Sequence, residues 1–206
     1  NYPRNTEVDL KKLKAADCDV VFIPSVEEMY PKKVDKEFYF DTLSEVMEAE
    51  HRPGHFNGVA IVIERFFEIL SPTHAYFGEK DYQQLAVIKA LAKQINSPVK
   101  VVGCPIFREL SGLAMSSRNE RLSEAQKNQA ALISDALKYT CTHKDLPVLE
   151  LRNYFLSKMR KHDNFEVEYF EIADETTLQP IVEWGNADKY IVFTAVNVSG
   201  VRLIDN

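Results

Sequence analysis

The stretch Tyr76-Phe77-Gly78-Glu79-Lys80-Asp81-Tyr82-Gln83-Gln84 constrains the chain most, because it places a glycine, a lysine and an aspartate between two apolar segments. A short apolar run comes before Gly78, and the helical pattern of Leu85-Ala86-Val87-Ile88 follows Gln84. The polar residues therefore lie at a predicted strand-to-helix turn. In an open α/β sheet such a turn lies at the carboxyl edge of the strands, where ligands bind.

The start of the predicted helix supplies free backbone N–H groups and a positive dipole end, which favour an anion. Gly78 lets a ligand approach the backbone, Lys80 suits a phosphate, and Asp81 suits ribose hydroxyls. Gln84 lies one turn after Lys80, on roughly the same helix face. The alternative from composition alone is that Asp81 caps the helix and Lys80 is solvated.

Strands that alternate with helices before Pro105 predict a parallel, doubly wound sheet. We expect strands at residues 19–24, 37–40, 75–77 and 99–103, and helices at residues 7–16, 42–49, 57–70 and 81–95. The helix over 57–70 is apolar all round, which predicts extensive burial, for example at a subunit contact.

The pattern changes after Pro105, where a polar, irregular segment leads to a capping box at Ser123-Glu124-Ala125-Gln126. Helices and then strands are predicted here, at residues 123–139, 148–161, 165–172, 189–196 and 201–204. Helices followed by strands indicate a small α+β domain. We predict two domains, 1–108 and 109–206, with a ligand cleft between them.

The composition disfavours several classes of protein. A formal net charge of −6 argues against a general nucleic-acid binder, although it permits a nucleotide ligand. No run of eighteen apolar residues and no apolar leader is found, so we expect neither a membrane protein nor a secreted one. Cys18, Cys104 and Cys141 are far apart, and the histidines lack ligand spacing. We expect a cytoplasmic protein and assign no metal-ligating residue.

Four ordered stretches, and the closing Arg202-Leu203-Ile204-Asp205-Asn206, carry a resemblance to a known family. The four are Tyr2-Pro3-Arg4, Arg52-Pro53-Gly54-His55-Phe56 with Asn57-Gly58-Val59, Phe77 to Gln84, and Gly112-Leu113-Ala114-Met115-Ser116-Ser117-Arg118-Asn119. Over essentially its whole length the chain resembles the pantothenate synthetases (pantoate–β-alanine ligases). The resemblance implies a Rossmann-like parallel sheet of the nucleotidyltransferase type, incomplete at its amino-terminal side, followed by a small α+β lid domain.

The resemblance also implies a ligase that condenses pantoate with β-alanine. In that family ATP is a substrate, Mg²⁺ accompanies it, and a pantoyl adenylate forms with release of pyrophosphate before AMP leaves. The implied partners are these small molecules and a second copy of the chain in a homodimer, with neither nucleic acid nor membrane.

The residues implied to bind ATP belong to two segments. They are Gly78, Glu79, Lys80 and Asp81 in the first, and Phe107, Met115, Ser116, Ser117 and Arg118 in the second. Two hydroxyls and a guanidinium suit phosphate oxygens, although a surface turn with a salt bridge is the alternative. The resemblance implies that Lys80 and Arg118 are catalytic, and Arg118 stands where a lysine is often found. It also implies that the Phe107 backbone contacts adenine and that Gln84 binds pantoate.

Four further residues are possible site residues with an open alternative each. Tyr2 lines the site or packs in the core, and Asp9 is either a Mg²⁺ ligand or an exposed helix carboxylate. Arg52 and His55 contact substrate or shape the turn with Pro53-Gly54, and for an isolated histidine we favour the structural role.

The chain departs from the family at its beginning. The family carries a His-x-Gly-His-type motif and a second pantoate-binding glutamine upstream of its Tyr-Pro-Arg segment, and this chain begins at that segment. We therefore expect little or no synthetase activity from these residues alone. Two alternatives remain: a nucleotidylyltransferase with another adenylated product, and a non-catalytic dimerisation or folding fragment.

Overall fold

The computed structural model describes residues 5–206, which form two compact units, one up to Lys36 and one from Glu37 to Asn206. The first unit contains α1 (Thr6–Ala15) and α2 (Val26–Met29). The side chain of Asn5 begins α1 by accepting the N–H of Val8, and a Ser25–Glu28 capping box begins α2. The helix predicted over 7–16 is confirmed.

Two predicted strands were wrong. Residues 19–24 form no strand, and Val20 and Ile23 are exposed. Residues 37–40 form no strand either: the N–H of Phe38 donates to Asn57 Oδ1 (2.8 Å), and Phe40 is buried among helical residues. A strand requires hydrogen bonds to neighbouring strands, and a run of β-branched or aromatic residues does not supply these by itself.

The second unit begins with helices and a parallel strand pair. A 3-10 turn (Asp41–Ser44) and α3 (Glu48–His51) precede α4 (His55–Leu70), β1 (His74–Gly78), α5 (Tyr82–Gln94) and β2 (Lys100–Cys104). β1 and β2 pair in parallel register from His74–Lys100 to Gly78–Cys104, and α5 connects them. Both strands therefore end at the same edge of the sheet, and for β1 this is directly before the polar turn.

Helix α4 buries one face and exposes the other. Phe56, Ala60 and Phe67 are buried, whereas Ile69 and Leu70 are exposed. The chain by itself therefore buries α4 only in part, and its burial at a subunit contact stays a prediction. None of the helices within residues 5–206 is long and apolar enough to cross a membrane.

The rest of the unit packs two helices on an antiparallel sheet. The elements are α6 (Glu124–Thr142), α7 (Val148–Met159), β3 (Phe165–Asp174), β4 (Tyr190–Val198) and β5 (Val201–Asp205), with strand order β3-β4-β5. The predicted capping box at Ser123 and Gln126 is confirmed. Phe155 of α7 stacks on Phe170 of β3 with ring centroids 4.4 Å apart, and both side chains are fully buried.

The predicted fold class is confirmed, because a parallel α/β part is followed by an α+β part. The two parts share an apolar cluster in which Met47 packs with Tyr169 and Phe193 of the antiparallel sheet, and Tyr82 at the start of α5 lies against it. The domain boundary at 108/109 stays a prediction.

Candidate active site

The turn between β1 and α5 forms the centre of the site. Glu79, Lys80 and Asp81 make a 3-10 turn at the carboxyl edge of the parallel strands, as predicted. Asp81 occupies the position before α5, but its side chain makes no capping hydrogen bond. Helix capping therefore does not account for this aspartate.

Lys80 is not a solvated surface lysine. Its side chain is 17% exposed, and Nζ lies 4.0 Å from Asp81 Oδ2. Burial lowers the pKa of the Lys80 ammonium; the nearby carboxylates of Asp81 and Asp205 act against this, and the positive charge of Arg118 adds to it. Within residues 5–206 no acceptor lies within hydrogen-bond distance of Nζ. A largely buried ammonium in this state favours an anionic ligand.

Gly78 has no role in packing or turn geometry that requires glycine. Its φ of −68° suits any residue, and a Cβ placed on it would meet no atom within 4 Å. Gly103 on β2 differs, since a Cβ there would lie 2.8 Å from Glu79 Oε1. The open space above Gly78 leaves room for a ligand at the backbone, while the Glu79 side chain lies against β2.

The neighbouring glutamines 83 and 84 have different surroundings. Gln83 is buried; its Nε2 donates to Leu43 O and Val46 O, both at 2.8 Å, and its Oε1 accepts the N–H of Glu48. Gln84 is half-buried and lines a pocket, and its amide has no hydrogen-bond partner in the described part of the chain. Gln83 therefore holds the 43–48 segment on α5, and the amide of Gln84 is free for a ligand.

Arg52 and His55 line the same pocket as Lys80, Asp81 and Gln84, which is open to solvent and has a cavity volume of about 30 Å³. Burial lowers the pKa of His55, and the charge of Arg52 acts in the same direction, so the imidazole is neutral near pH 7. Among the described residues its ring nitrogens have no hydrogen-bond partner. Arg52 Nη1 also lies 3.6 Å from Glu48 Oε2. Both side chains border the pocket, and whether they contact a substrate or shape the turn stays a prediction.

The second motif follows a tight hairpin. Residues 108 and 114 form a β-bridge, and the N–H of Met115 donates to Phe107 O at 2.9 Å. The side chains of Phe107 and Met115 are exposed. The Phe107 carbonyl is thus held by the hairpin, and the Phe107 ring is open to solvent.

Ser116 and Arg118 are held by local and long-range bonds. Ser116 Oγ accepts the N–H of Arg118 (3.2 Å) and begins a 3-10 turn over Ser117–Arg121. Arg118 Nη1 donates to the main-chain oxygen of Arg202 on β5 at 3.2 Å. Since Arg118 also depresses the pKa of Lys80, the fold brings the two predicted cations into one electrostatic environment. Ser116 and Ser117, which precede Arg118 in the sequence, are half-buried.

Two further candidates belong to the amino-terminal part of the chain. Tyr2 lies outside the described residues, and Asp9 is an exposed residue of α1 in the first unit. A search of residues 5–206 finds no group of three His, Cys, Asp or Glu residues that would hold a metal ion. Their roles stay predictions.

A charged network beside the pocket was not predicted. Arg202 Nη2 lies 2.7 Å from Glu48 Oε1, Arg202 Nε lies 2.6 Å from Glu168 Oε2, and the Tyr169 hydroxyl donates to Glu48 at 2.9 Å. Burial by itself raises the pKa of Glu48, but the hydrogen bonds and charge of Arg202 outweigh it, and the pKa is lowered. Arg202 belongs to the closing stretch of the resemblance, whereas no local signal distinguishes Glu48.

Comparison with known proteins gives consistent matches. The family model described as pantoate-beta-alanine ligase matches residues 1–206. The pantothenate synthetase of Phocaeicola vulgatus is 45% identical over 207 residues, which cover all of this chain and 73% of that protein. The pantothenate synthetase of Porphyromonas gingivalis is 43% identical over 206 residues, again covering 100% and 73%.

Solved structures agree. The crystal structure of pantothenate synthetase from Thermus thermophilus has a TM-score of 0.91 at 37% identity, covering 100% of this chain and 75% of that one. Pantoate-beta-alanine ligase from Francisella tularensis, complexed with beta-gamma ATP and beta-alanine, has a TM-score of 0.77 at 31% identity, covering 99% and 70%. This chain therefore belongs to the pantoate-beta-alanine ligase family.

Proposed function

We propose that these residues belong to an enzyme that condenses pantoate with β-alanine to give pantothenate at the expense of ATP, through a pantoyl adenylate. One observation carries the proposal most directly: the Lys80 ammonium is largely buried, has no hydrogen-bond acceptor in residues 5–206, and lies at the carboxyl edge of a parallel sheet, where ligands bind in such folds. The Francisella relative, which was crystallised with beta-gamma ATP and beta-alanine, supports the same substrates.

The first step is attack of the pantoate carboxylate on the α-phosphorus of ATP. An oxygen–phosphorus bond forms, the bond to the β-phosphate oxygen breaks, and pyrophosphate leaves. In this step Lys80 stabilises the charge on the α-phosphate, and Arg118 with Ser116 and Ser117 holds the departing pyrophosphate. Asp81 holds the ribose hydroxyls, Gly78 and Glu79 contact the nucleotide through the backbone, and the Phe107 backbone and Met115 border the adenine.

The second step is attack of the β-alanine amine on the acyl carbon of the adenylate. The carbon–nitrogen bond forms, the acyl–oxygen bond to AMP breaks, and the amine loses a proton. No protein nucleophile is required, so the work of the site is positioning and charge stabilisation. Gln84 orients pantoate through its free amide, and Arg52 and His55 contact substrate from the same pocket.

Mg²⁺ and the homodimer are further parts of the proposal. The described residues supply no cluster of carboxylates for a metal, so we propose that Mg²⁺ enters with the ATP phosphates and their waters. The apolar face of α4, with Ile69 and Leu70 exposed, supports a contact between two copies. Light scattering of the purified protein checks the dimer.

The deciding experiment measures AMP and pyrophosphate release with ATP and each substrate added alone or together. We expect AMP to form when both pantoate and β-alanine are present, and pyrophosphate release to require pantoate. AMP formation with another carboxylate or amine pair would indicate a different nucleotidylyltransferase. Silence under all conditions, from a polypeptide that also carries the upstream family segment, would leave a binding or assembly role. The 206 residues alone, from which we expect little or no activity, are measured in parallel.

A further inference from the structure

The closing stretch Arg202–Asn206 makes contacts with both halves of the site. Asn206 Nδ2 donates to Glu79 O at 2.8 Å and to Lys80 O at 2.9 Å. Both hydrogens of this amide group are thus used, and both acceptors belong to the turn that carries Lys80. We propose that Asn206 is a positioning residue, which sets the place of the Lys80 ammonium by holding the main chain beneath it.

Asn206 is itself held firmly. Arg108 Nη2 donates to the main-chain oxygen of Asn206 (3.1 Å) and to Asp205 Oδ1 (2.9 Å), and Arg108 Nη1 donates to Asp205 Oδ2 (2.7 Å). The N–H of Asn206 donates to Asp205 Oδ1 at 2.8 Å. The side chain of Asp205 is 4% exposed, so this two-pronged ion pair is well shielded from water.

The same contacts reach the second motif. Arg108 Nη1 also donates to Gly112 O at 3.1 Å, inside the hairpin that leads to Ser116. Arg118 donates to Arg202 O, four residues before Asn206 on the same stretch. The turn with Lys80 and the segment with Arg118 are therefore both anchored to residues 202–206, and their separation depends on this stretch.

The contact matters for function because the rate of catalysis depends steeply on the position of the reacting groups. The two carbonyls lie at the base of the Lys80 side chain, so rotation of the turn moves its ammonium relative to the substrate phosphate. A displacement of about 1 Å at a positioned group can reduce turnover by about 10²-fold. This inference rests on the proposed function, because turnover is its principal measurement.

Asn206→Leu tests the proposal, since leucine has nearly the same size and shape but donates no hydrogen bond. We expect kcat to fall by roughly 10- to 100-fold. Asn164→Leu is the matched control: its Nδ2 also donates to two oxygens, Gln129 Oε1 (3.3 Å) and Ser199 Oγ (3.1 Å), but outside the site. The control should lose comparable thermal stability and keep its kcat.

Combination with Lys80→Ala separates positioning from a general effect on folding. If Asn206 acts through Lys80, the double variant has the kcat of Lys80→Ala alone, because there is no ammonium left to misplace. Fully additive losses, or an Asn206→Leu protein with unchanged kcat, would overturn the proposal.

A measurement that does not depend on turnover tests the role of Asn206 separately from the proposed reaction. Amide hydrogen exchange over residues 79–84 should be about tenfold faster in Asn206→Leu than in the unaltered protein, and unchanged in Asn164→Leu. Unchanged exchange in Asn206→Leu contradicts the proposal whatever the activity. Absent AMP formation in the unaltered polypeptide that also carries the upstream family segment, with exchange altered as expected, contradicts the proposed reaction and leaves the contact intact.

Discussion

Glu48 and Arg202 are joined by two hydrogen bonds across 154 positions of sequence, from Nη2 to Oε1 at 2.7 Å and from Nη1 to Oε2 at 3.0 Å. The pair fastens α3 to β5, and Glu48 lines the pocket in which Lys80 lies. The side chains are 10% and 22% exposed, so neither charge is well solvated if the other is removed.

Removal of the Arg202 charge should therefore destabilise the protein strongly. Arg202→Met removes the main cation of both carboxylates, because in the described structure Glu48 keeps only Arg52 at 3.6 Å and Glu168 keeps only His51 Nδ1 at 3.0 Å. We expect about 3 kcal/mol less free energy of unfolding. Arg152→Met is the control, because the Arg152–Glu171 pair has a similar contact distance of 2.9 Å but Arg152 is 45% exposed. The control should change stability by less than about 1 kcal/mol in urea unfolding. Equal effects of the two substitutions would contradict the argument.

The same pair predicts a dependence of stability on pH. The pKa of Glu48 is lower in the folded protein than in the unfolded chain, so its contribution is present above the unfolded value of about 4.3 and is lost as the pH falls through the folded value. Urea unfolding of the unaltered protein and of Glu48→Gln should show a stability difference that shrinks on acidification. A difference that grows below about pH 4 would have the wrong sign.

The adjacent glutamines should respond to substitution in different ways. Gln83→Ala removes three hydrogen bonds in a buried setting, so we expect a loss of about 2–3 kcal/mol in stability. Gln84→Ala removes a side chain that contacts no polar partner in the described structure. Gln84→Ala should have the melting temperature of the unaltered protein. Its KM for pantoate should be roughly tenfold higher, because one hydrogen-bonding group is lost. Calorimetry and steady-state kinetics on both variants make the comparison.

Gly78 and Gly103 form a second contrasting pair. Gly78→Ala fits the folded chain without contact, so its stability should be unchanged, whereas ATP affinity should fall because a methyl group occupies the ligand's approach. Gly103→Ala places a Cβ 2.8 Å from Glu79 Oε1 and 3.0 Å from Leu85 Cδ2, and because Leu85 is buried we expect a lower melting temperature. Isothermal titration with ATP and thermal melts separate the two effects. ATP binding by Gly78→Ala as tight as that of the unaltered protein would count against the site.

Lys80→Ala should reduce turnover by about 10²–10³-fold, the effect of one preorganised electrostatic group. Lys89→Ala, on the exposed face of α5, is the control and should be fully active. Burial lowers the pKa of Lys80, so the ammonium loses its proton at a pH below the ordinary lysine value of about 10.4. We expect kcat/KM to fall as the pH rises through this range, and Lys80→Arg to abolish this alkaline decrease.

The loss of the Lys80 proton should raise stability, whereas it lowers kcat/KM. The folded protein binds this proton less tightly than the unfolded chain does, so the free energy of unfolding rises as the pH increases between the two pKa values. A difference in urea unfolding between the unaltered protein and Lys80→Met, followed with pH, checks the direction.

Local patterns were sufficient for most of the elements. The capping box at Ser123 and the strand segments at 165–172 and 189–196 were identified correctly because caps and local strand preference act over a few neighbouring residues. The apolar run at 19–24 was misjudged because a strand depends on partners that are remote in sequence. The same limit applies to α4, whose burial depends on what covers its second face.

By itself, the sequence determined the turn chemistry around Lys80, the order of its motifs and the family to which the chain belongs. The tertiary structure decided which polar groups at the pocket keep an amide or ring nitrogen without a partner among the described residues: Gln84 rather than Gln83, and His55. It also decided that Arg202 and Asn206 tie the motifs together. Such contacts join residues that are remote in sequence, and their strength depends on burial and distance, which a linear pattern of residues does not contain.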